Sequence, residues 1–222
     1  HAQCLKSNIH HHFWRIKMSE NMNLWRNVCI TDPSAVKPIT GKQYKGNSPK
    51  PYWLIEQATK VFGPCGIGWG INVVSERFER FGDTESLHIA QVKVWYMLDG
   101  KRGEIEQMGQ TRSSYVTSSG KFTVDEDAPK KSVTDGMVKC LSMLGFAGDI
   151  FSGRWDDSRY VEFAGNHHAA AEQIAAIESA KTIDLLKSHF AAAWKMSDDK
   201  MRPAIKTAYD TRLQQLTPKE PA

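Results

Sequence analysis

The clearest pattern of hydrophobic and polar positions runs over residues 87–98, where Ala90, Val92, Val94, Tyr96 and Leu98 alternate with Gln91, Lys93 and Trp95. Alternation of this kind predicts a strand buried on one face, as in an antiparallel sheet covered on one side. Asp99-Gly100 follows directly. Both residues tolerate positive φ, so the pair predicts a type I′ hairpin, with a return strand over 103–112. Upstream, Trp69, Ile71 and Val73 open another strand over 69–81 before the pattern becomes charged. Residues 113–120 are polar and carry Ser and Gly, which predicts a loop.

Helical spacing appears on both sides of these strands. Ile55, Ala58 and Phe62 predict a short amphipathic helix over 52–62, ended by Gly63, Pro64 and Gly66. Asp125, Glu126, Asp127 and Pro129 are helix-opening residues. The helix they open is expected to reach Leu144, burying Val133, Met137, Cys140, Leu141 and Leu144 and turning Lys131, Asp135, Lys139 and Ser142 outward. Gly145 is its expected cap. Residues 154–163 read as irregular and 166–171 as a linker. Beyond them the composition is Ala-rich, with Leu186, Phe190 and Trp194 on one helix and Met201, Ile205, Ala208, Tyr209 and Leu213 on the next.

The expected fold class is α+β, with a three-stranded antiparallel sheet packed on a long helix, plus a small C-terminal helical domain. The division reads as an N-terminal extension (1–40), a core (41–163), a linker (164–171) and the helical domain (172–217). Residues 1–17 hold three consecutive histidines, His10 to His12, with Met18 and Met22 as candidate starts, so this stretch reads as an added or upstream-translated segment outside the fold.

Composition narrows the function classes. At 222 residues, with 41% hydrophobic and 24% charged positions, the chain suits one ordinary core with appendages, and it has no apolar run long enough for a membrane span. Cys4, Cys29, Cys65 and Cys140 stand far apart. Without close Cys pairs or a signal-peptide pattern they predict reduced thiols, a cytoplasmic protein and no zinc site. Formal net charge is +4. Lys/Arg against Asp/Glu is five to two over 1–40, sixteen to sixteen over 41–163 and eight to seven over 164–222. A nucleic-acid site in the neutral core therefore requires positive charge gathered on one face.

Two segments carry more specific information. Residues 58–69 read A-T-K-V-F-G-P-C-G-I-G-W, and residues 130–145 read K-K-S-V-T-D-G-M-V-K-C-L-S-M-L-G. Gly136 within an otherwise amphipathic helix costs about 1 kcal/mol relative to Ala. Something is expected to approach the backbone there, either the sheet or a ligand. The first segment resembles the helix ending in Phe-Gly, followed by a Gly-Trp strand start, of Rad52-like single-strand annealing proteins and their phage relatives. The second is similar to that family's long helix with its Val-Thr-Asp-Gly signature. The resemblance spans residues 42–163, with specificity confined to these two blocks.

The resemblance implies a β-β-β-α core that binds single-stranded DNA and anneals complementary strands in recombination and repair, with no nucleotide, metal or other cofactor and no enzymatic step. It also implies a homo-oligomeric ring or filament, and a helical tail that contacts partner proteins such as a host single-strand-binding protein. The family's turn after the signature is strongly basic; here it keeps Lys139, with Val138 and Ser142 at basic positions of eukaryotic relatives. Lys130 and Lys131 are the added candidates for phosphate contact, and Lys93, Trp95, Arg112 and Tyr115 for a stacking surface. The plainer alternative for Lys139 and Lys131 is pairing with Asp135.

Other classes compete less well. Gly66-Ile67-Gly68-Trp69-Gly70 resembles a nucleotide loop, but a helix precedes it and no Gly-Lys-Ser/Thr follows. Asp149, Asp156, Asp157 and Glu162 would serve a metal-dependent nuclease only if they converged, and turn or cap roles are the plainer reading. His167-His168 reads as linker. A passive single-strand binder needs the same basic, aromatic surface as an annealing protein.

Overall fold

The computed structural model describes residues 20–40, 45–197, 199 and 201–217; the His10 to His12 tract lies outside them. They form two compact units, one made of Ala35–Arg154 with the segment up to Thr31, the other of Asp32–Ser34 with the chain from Trp155 onward.

The first unit is α+β. Helix α1 (Asn23–Val28) leads to a small hairpin of β1 (Val36–Pro38) and β2 (Asn47–Pro49), then α2 (Pro51–Phe62). An antiparallel sheet follows in the order β3 (Trp69–Phe81), β4 (Glu85–Leu98), β5 (Lys101–Val116), β6 (Phe122–Val124). The expected three strands are there, and β6 makes a fourth by pairing with Ser114–Val116 across the polar turn. Asp99 and Gly100 have φ of 51° and 73°, the left-handed pair that the β4–β5 hairpin requires. Strand β3 stays paired with β4 to Phe81, with an irregularity between Val73 and Ser75.

Helix α3 (Ala128–Met143) packs across β4 and β5. Ala90, Val92 and Val94 are fully buried on the covered face, as the alternation predicts. On the helix the buried stripe is rotated from the expected one: Ser132, Gly136, Met137, Cys140 and Leu141 are buried, whereas Val133 and Leu144 are half-buried. Close approach causes the rotation. A Cβ on Gly109 of β5 would lie 1.9 Å from the Ser132 carbonyl oxygen and 2.4 Å from the Gly136 nitrogen, and one on Gly136 would lie 2.7 Å from Val92. Ser132 tolerates burial because its hydroxyl donates to the His88 and Ala128 carbonyls, and the Cys140 thiol donates to those of Val92 and Ile105. Burial pushes the Cys140 thiol pKa up. Gly145, with φ of 102°, ends the helix; its N–H donates to Ser142 and that of Phe146 to Leu141, a Schellman arrangement.

The segment before β1 is tied to α4 (Gly148–Phe151). Thr31 donates its N–H and hydroxyl to the buried Asp149 carboxylate, at 2.8 and 2.5 Å, and the Asp149 N–H donates to Cys29. Trp25 of α1 lies against Gly145 and Gly148.

The second unit contains α5 (Ser158–Ser179), α6 (Ile183–Met196) and α7 (Arg202–Leu216). Residues 166–171, expected as a linker, lie inside α5, which starts at the Asp157 cap. Ile177, Leu186, Ala193, Ile205 and Ala208 form its core, with Phe190, Met201, Tyr209 and Leu213 packed around them. Among the described residues no helix is long and apolar enough to cross a membrane.

Substitution of Gly109 by Ala is expected to destabilise the first unit by about 3 kcal/mol, because backbone rather than a movable side chain blocks the new methyl. Gly165 in α5 meets nothing closer than Pro33 at 3.7 Å, so Gly165→Ala is expected to stabilise by about 0.5 to 1 kcal/mol. Denaturant unfolding of both variants beside the wild type checks the pair; equal shifts would contradict it.

Candidate nucleic-acid interface

The outer side of α3 and the β1–β2 hairpin enclose an open groove of about 450 Å³. Its lining includes Lys37 of β1, Ser48 of β2, and Asp127, Lys130, Lys131, Thr134 and Asp135 at and along α3. Three lysines thus meet two aspartates and two hydroxyls. The hairpin comes close because Lys50 donates its backbone N–H to Ala35 and β1 pairs with β2 at Val36 and Pro49.

Of the residues expected from the sequence to contact DNA, Lys130 and Lys131 line this groove. Lys130 lies 3.1 Å from Asp127, and Lys131 lies 2.6 Å from Asp125 rather than pairing with Asp135. That hydrogen bond holds the Asp125 carboxyl below its ordinary pKa and raises the Lys131 ammonium; the Tyr115 phenol is near enough to act on Lys131 electrostatically. Lys139 pairs with Asp135 at 2.9 Å, four residues back on the helix. Asp135 also accepts from the Gln110 N–H, and the Lys139 ammonium donates to the Met108 carbonyl, so this pair clips the edge of β5.

Lys93, Trp95 and Arg112 belong elsewhere. By strand register they share the sheet face turned away from α3, opposite or near Glu106, Glu104 and Leu87 respectively. Lys93 bridges Glu104 and Glu106 at 2.9 and 3.0 Å. Hydrogen bonding to Glu104 and then Glu106 raises the lysine's pKa, and the same contacts lower both carboxyls. The Arg102 guanidinium sits 4.6 Å from the centre of the Trp95 ring, and the ring lies directly against Gly70 of β3. Arg112 is exposed in a separate cavity of about 210 Å³ lined by Phe81, Glu85, Ser86 and Leu87.

Lys37 and Ser48 were not singled out from the sequence, and Thr134 stood out only as part of the Val-Thr-Asp-Gly signature. Lys37 is exposed and makes no ion pair among the described residues. It stands in a Pro- and Gly-rich stretch with no periodicity, so only the folded hairpin brings it to α3.

Two of the four carboxylates considered for a nuclease, Asp149 and Asp157, have other partners. In the first unit Asp149 holds Thr31. In the second, Asp157 caps α5 and pairs with Arg159 at 2.9 Å, which lowers its pKa. Among the described residues no group of three or more His, Cys, Asp or Glu stands together to hold a metal ion. Burial, followed by the neighbouring His168, lowers the pKa of His167, which sits on α5.

No protein-family model matches the chain, and no curated protein matches it.

Hydrogen-bonded carboxyls with lowered pKa stabilise the fold above their unfolded-state pKa, and that contribution is lost as pH falls through the folded value. Raised lysines act in reverse, losing their contribution as pH rises past about 10.4. Glu104, Glu106 and Asp125 therefore add to the loss of stability below about pH 4. Lys93→Met is expected to shrink the drop in urea midpoint between pH 7 and pH 3, because its two glutamates then gain from protonation. An unchanged or larger drop would show that the Lys93 bridge contributes nothing.

Proposed function

We propose that this chain is a single-stranded DNA-binding protein that anneals complementary strands in recombination and repair, acting without nucleotide hydrolysis or a bound cofactor and not as an enzyme. The observation that carries the reading is the groove between the β1–β2 hairpin and α3, where Lys37, Lys130 and Lys131 meet the Ser48 and Thr134 hydroxyls. Lysines give sequence-independent, salt-sensitive affinity for phosphates, and hydroxyls add hydrogen bonds to their oxygens. An open groove that follows the backbone leaves bases available to a second strand. The resemblance of residues 58–69 and 130–145 to Rad52-like annealing proteins supports the same reading, as do the antiparallel sheet and the long helix packed on it.

Assembly into a homo-oligomer belongs to the proposal. Strand β3 is an open edge thirteen residues long, with Ile71, Val73, Val74, Phe78 and Phe81 exposed. On the opposite edge β6 covers only Ser114–Val116 of β5, and the α3 side chains clip it at Met108 and Gln110. A second copy of the chain therefore has a strand edge to join on each side. Unequal edges joined head to tail close into rings or run on as filaments. The three-helix unit is the proposed contact for a host single-strand-binding protein, and the cytoplasm, where the DNA lies, is the proposed location.

Two complementary labelled oligonucleotides mixed with the protein, without nucleotide or metal, are expected to form duplex faster than they do alone, with the acceleration fading as salt rises. Lys37→Ala and Lys131→Ala are each expected to weaken binding and to flatten the slope of log affinity against log salt by about 0.7. Binding without acceleration would leave a passive single-strand binder. Absence of binding would remove the DNA reading.

A further inference from the structure

Every lysine on α3 is held by an aspartate of the same segment. Lys130 is 3.1 Å from Asp127, Lys131 is 2.6 Å from Asp125, and Lys139 is 2.9 Å from Asp135. On the groove wall formed by α3, Lys130 and Lys131 stand beside Asp127 and Asp135, so the charges on this wall balance. A surface that attracts phosphate passively would carry an excess of cations. Lys37 faces it from β1 without an ion pair among the described residues.

We propose that Asp125, Asp127 and Asp135 are intramolecular competitors for the phosphates of the ligand, holding the α3 lysines in the unbound protein and releasing them only to a chain that presents several phosphates at once. The proposal rests on the nucleic-acid reading of the groove and adds what it selects: a polyanion rather than a mononucleotide or free phosphate. A lone phosphate approaching Lys131 meets a carboxylate already hydrogen-bonded to the ammonium, and a second one, Asp127, on the groove wall. The lowered pKa of Asp125 and the raised pKa of Lys131 agree with that occupancy. Exposed pairs of this kind are individually weak. A strand anchored at Lys37 brings further phosphates to the neighbouring lysines at high effective concentration, and the pairs exchange together.

A purely structural role predicts different behaviour. The Asp127 side chain makes no cap hydrogen bond to the helix, and its carboxylate accepts from Lys130. Asp135 also accepts from the Gln110 N–H, an acceptor role that an asparagine keeps. Asn substitution therefore removes the charge while sparing the clip on β5.

The test measures binding of a fluorescent single-stranded oligonucleotide by anisotropy over a salt series, for the wild type, Asp127→Asn and the Asp127→Asn/Asp135→Asn double variant, with unfolding midpoints taken in parallel. Each substitution is expected to tighten binding at low salt by roughly threefold. The salt slope should stay near the wild-type value, because the same lysines neutralise the same phosphates in the complex. A mononucleotide should compete poorly against the wild type and better against the double variant. Unchanged or weaker binding, in variants that keep the wild-type unfolding midpoint, would overturn the proposal while leaving the DNA reading standing. Should the double variant lose its midpoint, the Asp127→Asn variant decides by the same criteria. A wild type that fails to bind at all would remove both.

Discussion

Helix α3 lies on the sheet backbone to backbone, and the geometry of the first unit follows from that contact. Gly109 and Gly136 leave no room for a methyl group between the strand and the helix. At that separation the fully buried Val92 fills the space beside Gly136, and Cys140 reaches the carbonyls of two neighbouring strands. A larger residue on either side would lift the helix and open the layer to water. The interior glycine is a poor helix former, and its position is explained by packing; no ligand need approach it.

Fixing the inner side of α3 also fixes its outer side. Lys130, Lys131 and Thr134 line the groove under the β1–β2 hairpin, whereas Lys139 turns to the edge of β5, tied there by Asp135, which lines the groove as well. On the far face of the sheet Lys93 has two glutamates, and Arg102 pairs with Glu104 and covers Trp95, whereas Arg112 is exposed. Around Lys93 and Trp95 that face offers little free positive potential. Phosphate binding is therefore better supplied by the groove, where the cations are held by aspartates that can exchange and Lys37 stands without an ion pair among the described residues.

Much of this was legible in residue order because local chemistry decides it. The alternation from Ala90 to Leu98 marked the covered face, Asp99-Gly100 marked the turn, and Asp125 to Pro129 marked the start of α3. Three features escaped for physical reasons. The stripe on α3 is rotated because glycine and serine allow an approach that larger apolar residues forbid, so hydrophobicity pointed to Val133 and Leu144 instead. Residues 166–171 resemble a linker through Gly165, Asn166 and paired histidines, yet flanking helix formers carry α5 through them. Lys37 depends on pairing between β1 and β2, three residues each, and no periodic signal identifies strands that short. Lys130 and Lys131 were legible as candidates, but their aspartate partners became visible only in three dimensions.

The central claim is that single-stranded nucleic acid lies between the β1–β2 hairpin and α3. Hydrogen exchange of the protein with and without a saturating single-stranded oligonucleotide tests it most directly. Slowed exchange over Val36–Pro38, Asn47–Pro49 and the first turns of α3, with the far sheet face around Lys93 and Trp95 unchanged, is the predicted result. Protection confined to that face, or no protection in the hairpin and helix while the oligonucleotide is bound, would contradict the account.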